Sequence, residues 1–245
     1  MIERIAGAAP RLEARVAGAL YLITTAAGVF AQLVRSSVIV SGDAAATARH
    51  ILASAPMYRQ GVAADLIAGV CYVGVTAILY GLLRPVSRTL SLAAAFFSLA
   101  GCAIGAVATV SLLIPLALLG GAPYGAAFRP DQLQSLVTIS LELHGQGYNI
   151  GMIFFGIYCA LIGCLVFRST FFPRFLGVLL ALAGAAWLTD SFATILSPAF
   201  ESRLDPYIEA PGFIGETALM LWLLAVGVNA PKWKERVGAA GEYRS

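Results

Sequence analysis

The sequence predicts an all-α polytopic membrane protein: six transmembrane helices plus short outer amphipathic helices. Three observations lead there. Of 245 residues, 59% are hydrophobic and 12% charged, whereas soluble domains carry roughly 25% charged residues. Six apolar stretches reach the roughly 20 residues that a helix needs to cross the hydrocarbon layer. Charged residues lie almost entirely between those stretches. Lipid offers the backbone no hydrogen-bond partners, so spanning segments are helices or closed barrels. Continuous apolar runs exclude the alternation of barrel strands.

The expected spans are 16–40, 62–83, 90–119, 147–167, 175–196 and 213–230, all in a single membrane domain 1–245. The first resembles a signal peptide in its basic leader (Arg4, Arg11, Arg15). Its apolar run exceeds the 7–15 residues of such a segment, and Glu3 and Glu13 are atypical, so a retained span is expected. After it, Ser41-Gly42-Asp43-Ala44 reads as a turn with Asp43 as a helix N-cap. A short helix over 44–54 follows, stopped by Pro56, with Ile51 and Leu52 on the membrane surface and Arg49 and His50 toward water. Residues 130–167 are too long for one crossing of the roughly 30 Å layer. Gly145 and Gly147 flank Gln146 where a break is cheapest. The expectation is an outer amphipathic helix over 131–143, a bend, then the fourth span. The stretch 197–211, with Glu201, Arg203, Asp205 and Glu209 around Pro198 and Pro206, reads as a solvated loop.

Basic residues orient the chain. Short basic loops at Arg84/Arg88 and Arg168/Arg174, with Arg11, Arg15, Lys232, Lys234 and Arg236 near the ends, place both termini in the cytoplasm. The longer opposite loops hold most of the acids. The net charge of +3 reflects this orientation and not nucleic-acid binding. Cys71, Cys102, Cys159 and Cys164 fall inside spans with no CxxC pair and read as small packing residues.

Helical spacing aligns Tyr21, Thr25, Gly28, Gln32 and Arg35 on one face of the first span, and Asp65, Gly69, Tyr72 and Thr76 on one face of the second. Glu142, Gln146 and Asn149, then Asp190, Thr194 and Ser197, then Glu216, continue the pattern. Polar groups facing lipid are costly, so these stripes are expected to face protein. In the stated orientation Arg35, Asp65, Glu142, His144, Asp190 and Glu216 share an outer level, with Arg59, Tyr72 and Asn149 in support. The sharp reading is an outward-open polar pocket for a small ligand, cation or proton. The bland one is that Arg35 pairs with Asp65 or Glu216 to hold helices together while the other acids snorkel to water. Trp187 and Trp222 read as core or interface belt. A metal set of His144, Asp190 and Glu216 is a weaker alternative, since the chain has two His and no HExxH spacing. No Walker A motif, GxGxxG after a strand, or GxSxG elbow occurs, so ATP-driven pumping, dinucleotide redox chemistry and serine hydrolysis find no support. No cofactor is expected, and the bilayer is the one certain partner.

The stretches ARVAGALYLITTAAGVF (14–30), SGDAAATARHI (41–51), LYGLLRPVSRTLSLAAAFF (79–97), IFFGIYCALIGCLVFRSTFFPRFLGVLLALAG (153–184) and GETALMLWLLAVGVN (215–229) resemble domain of unknown function 4386, a family of bacterial multi-pass membrane proteins. By that resemblance Asp43, Arg59, Arg168, Pro173, Gly177 and Glu216 stand at motif positions. The family has no assigned activity, so the resemblance implies the class and a bacterial cytoplasmic (inner) membrane, but no mechanism. Three functions stay open: a transport-like or sensory protein with a ligand pocket, a metal-assisted hydrolase acting on a lipid or amphiphile, and an accessory subunit without a ligand.

Overall fold

A computed structural model describes residues 10–121, 127–204 and 207–242. The described residues form helices and connecting turns, with no strand among them. In chain order the helices are α1 (Pro10–Val38), α2 (Ala44–Ala53), α3 (Ala55–Leu83), α4 (Arg88–Ser111), α5 (Ile114–Leu119), α6 (Pro130–Arg168), α7 (Arg174–Leu196), α8 (Pro198–Leu204), α9 (Ala210–Ala225) and α10 (Ala230–Glu242). A 3-10 turn over Tyr207–Glu209 precedes α9. Six segments are long and apolar enough to cross a membrane: Pro10–Val38, Ala55–Leu83, Arg88–Leu119, Pro130–Arg168, Arg174–Leu196 and Tyr207–Ala225. This is an all-α polytopic membrane architecture. Glu3, Arg4, Asp205 and Pro206, used in the sequence reading, lie outside the described residues.

Several boundaries follow from local chemistry. The Asp43 carboxylate accepts from the Ala46 amide at 2.8 Å, capping α2 as its sequence indicates. Gly42 supplies the positive φ of 77° that the preceding turn requires. Pro56 does not only stop α2. It occupies the first turn of α3, where its missing N–H costs nothing, and Ser54 alone separates the two helices. Ile51 is fully buried and does not rest on a membrane surface.

Four expectations need correction. Helix α6 runs unbroken through Gly145 and Gly147 for 39 residues. Gly147 serves close packing: a Cβ there would lie 2.6 Å from the Ala108 Cβ on α4. The third span is interrupted at Leu112 and Leu113, just ahead of Pro115, whose ring cannot continue the hydrogen-bond ladder. The stretch 197–211 is not a plain loop, because it holds α8 and the 3-10 turn. The last span also ends early, at Ala225. Gly227 at φ 75° breaks the helix, and Asn229 Oδ1 accepts from the Lys232 amide at the start of α10.

The chain divides into two compact units. One comprises the described residues of Met1–Leu22, Cys71–Gly101 and Ile150–Ser245, and the other Ile23–Val70 and Cys102–Asn149. In the first, bare backbone makes the helix crossings. A Cβ on Gly163 of α6 would meet the Gly177 carbonyl of α7 at 2.7 Å, and a Cβ on Gly184 would meet the Gly156 carbonyl at 2.5 Å. Small residues permit such approaches in membranes, where van der Waals packing replaces the hydrophobic effect. In the second, Val38, Ile51, Tyr58, Val62, Leu112, Leu116 and Val137 form one core.

Candidate functional site

The unit of Ile23–Val70 and Cys102–Asn149 contains an ion pair. Arg35 lies in the last turn of α1, and its guanidinium donates to the Asp65 carboxylate of α3. A second guanidinium nitrogen donates to Gln32 Oε1 one turn earlier, at 2.9 Å. Both ion-pair side chains are largely buried, 15% and 16% exposed. Uncompensated charge at such depth is costly, so their mutual neutralisation is what allows either to sit there.

Two more side chains reach this pair. His144 of α6 is 8% exposed, lies within electrostatic range of Arg35 and Asp65, and meets the Ala108 backbone. Tyr58, about two turns before Asp65 on α3 and 1% exposed, is also within range of both charges. The His144 Nδ1 and the Tyr58 hydroxyl are buried and make no hydrogen bond to any described residue. A buried polar atom without a partner costs about 1–3 kcal/mol, and native folds keep few of them. The cluster therefore has a neutralised ion pair, a phenol and an imidazole nitrogen with hydrogen-bonding capacity to spare.

The other unit holds a polar network of different character. Glu216 of α9 accepts from the Tyr21 hydroxyl of α1 at 2.6 Å and from the Trp187 indole of α7 at 2.8 Å. The Tyr21 hydroxyl lies 3.4 Å from that of Tyr72. The Tyr72 ring meets Tyr21, Phe155 and Tyr158 edge-on, with centroids 5.2, 4.9 and 5.9 Å apart. Gly212 lets α9 close on this group, since a Cβ there would fall 2.4 Å from the Trp187 ring. Each Glu216 oxygen has a donor, which describes a satisfied structural lock.

The structure thus brings Arg35, Asp65 and His144 together and gives Glu216 other partners, Tyr21 and Trp187. Trp187 is not merely core or interface belt. Glu142 is exposed on α6, as is Arg59 on α3, while Asp190 of α7 and Asn149 of α6 are half-buried. The Thr194 hydroxyl donates to the Asp190 carbonyl at 3.0 Å. Among the described residues no group of three or more His, Cys, Asp and Glu is arranged to hold a metal ion. The four cysteines are free thiols. Sequence reasoning passed over Tyr58, although its position seven residues before Asp65 put it on the same helical face.

Two grooves open in the unit containing α7. One, of about 380 Å³, is lined by Leu188, Phe192, Leu196 and Phe200 among others. The second, of about 340 Å³, lies between α6 and α7 at Gly163, Cys164, Phe167 and Gly177. Both have apolar walls.

An uncharacterized protein from Archaeoglobus fulgidus is 28% identical over 155 residues, covering 63% of this chain and 76% of that one. No solved structure matches. The family profile described as Domain of unknown function (DUF4386) matches residues 16–227, nearly the whole chain, and the protein belongs to that family.

Proposed function

We propose that this protein is a transport-like or sensory membrane protein, and that the cluster of Arg35, Asp65, His144 and Tyr58 binds a small polar ligand, a small cation or a proton. One observation carries the reading: the His144 Nδ1 is buried beside an ion pair with no hydrogen-bond partner among the described residues. An imidazole that served packing alone would be better replaced by an apolar side chain, because the unpaired nitrogen carries a desolvation penalty. The Tyr58 hydroxyl, also buried and unpaired, supports the same reading. Arg35 holds Asp65 in place, while His144 and Tyr58 offer hydrogen bonds to the ligand. The distribution of Lys and Arg supports cytoplasmic termini, with the cluster near the outer face of a cytoplasmic membrane.

A thermal-unfolding screen of detergent-purified protein against small amines, alkali and divalent cations and short polar metabolites tests this. A ligand that binds only the folded state raises the midpoint, by an amount that grows with the logarithm of its concentration over Kd. At least one class is expected to stabilise the wild type but not the His144→Leu or Tyr58→Phe variants. If no compound separates the wild type from both variants, the binding reading fails and an accessory role takes its place.

A further inference from the structure

The hairpin that joins the two helices lining the α6–α7 groove carries two basic residues. Arg168 closes α6 and Arg174 opens α7. Both are exposed. Among the described residues neither is ion-paired with a carboxylate, and residues 143–189 contain no Asp or Glu. The Arg174 guanidinium sits 5.6 Å from the centroid of Phe167, and that ring is itself part of the groove wall. The connecting turn is held firmly. The Ser169 hydroxyl donates to the Val166 carbonyl at 2.7 Å and accepts from the Phe172 amide at 3.2 Å, and the Asn229 amide donates to the Phe171 carbonyl at 3.2 Å. The two guanidiniums therefore project from a fixed hairpin.

Gly163 and Gly177 line the groove where the two backbones meet, and a Cβ on either would lie 2.7 Å from the other's carbonyl oxygen. Its outer walls, Phe167, Val178 and Leu182, are about half exposed. An apolar groove of about 340 Å³, with exposed Arg168 and Arg174 on the hairpin where α6 and α7 join, matches a molecule with a hydrocarbon tail and an anionic head. Guanidinium groups favour phosphate through paired, charge-assisted hydrogen bonds, and basic sites between membrane helices recognise anionic headgroups.

We propose that the α6–α7 hairpin binds one anionic phospholipid, with an acyl chain in the groove and its phosphate on Arg168 and Arg174. This site is separate from the Arg35 cluster and does not depend on the function proposed for it.

The test is native mass spectrometry of delipidated protein titrated with phosphatidylglycerol or with phosphatidylcholine of the same acyl chains. The wild type is expected to prefer phosphatidylglycerol. Each of R168Q and R174Q should weaken that lipid about fivefold, and the double variant should bind both lipids alike. R168K/R174K should keep part of the preference, and V178W, which fills the groove, should weaken both lipids while leaving the unfolding midpoint near that of the wild type. Equal binding of the two lipids by the wild type would overturn the proposal. So would a preference that survives R168Q/R174Q, or displacement of the lipid by inorganic phosphate alone, which would mean that the groove adds nothing.

Discussion

The Tyr21 hydroxyl donates to a Glu216 carboxylate oxygen at 2.6 Å, joining α1 to α9 across 195 positions of sequence. Trp187 donates to the other oxygen, so the carboxylate joins three helices. Tyr21 is 4% exposed and Trp187 6% exposed. Removing the acceptor in Glu216→Ala strands both donors, at about 1–3 kcal/mol each. Glu216→Gln keeps a carbonyl oxygen for one of them and should cost less. Thermal unfolding in detergent is expected to rank wild type above Glu216→Gln above Glu216→Ala. A Glu216→Ala midpoint equal to that of the wild type would show that the network does not hold the helices.

Arg35 and Asp65 make a different prediction. Losing one member of a buried pair leaves a charge unpaired and costs about 3–5 kcal/mol, whereas apolar replacement of both is often tolerated. Asp65→Leu and Arg35→Met should each destabilise the protein more than the two combined. The partial exposure of the pair puts the single-variant loss toward the low end of that range. Denaturant titration of the four proteins reads the coupling directly. Additive losses would sink the assignment.

Two glycines should respond with opposite sign. A Cβ at Gly163 would lie 2.7 Å from the Gly177 carbonyl and the Ala181 amide, and backbone cannot move aside as a side chain does. Gly163→Ala should destabilise by about 1–3 kcal/mol through overpacking. A Cβ at Gly28 meets nothing within 4 Å, so Gly28→Ala in α1 should be neutral or stabilise by up to about 1 kcal/mol. Comparing their unfolding midpoints separates a packing glycine from one that only adds flexibility.

Orientation can be checked by labelling. With Cys71, Cys102, Cys159 and Cys164 replaced by Ala, single changes Arg49→Cys in α2 and Glu235→Cys in α10 place thiols at two exposed positions. In intact cells an impermeant maleimide should label the first and not the second. The reverse pattern would invert the topology.

The sequence alone determined the class and the six spans, because a long apolar run in a bilayer must close its own hydrogen bonds as a helix. It also determined the Asp43 cap, whose partner lies three residues away. Local chemistry singled out Gly147 as well, but it could not say whether that residue marks a break or a contact, and it carried the third span straight through Pro115. The helix breaks ahead of Pro115 and runs on through Gly147, where α4 comes close. Spacing along one helix put Arg35, Asp65 and Glu216 on inward faces. Which of them would meet depended on the crossings of different helices, set by glycine contacts between distant segments. Tertiary structure gave Arg35 to Asp65 beside His144 and Tyr58, and gave Glu216 to Tyr21 and Trp187. One-dimensional periodicity carries a side chain's direction on its own helix but not the distance to the next one.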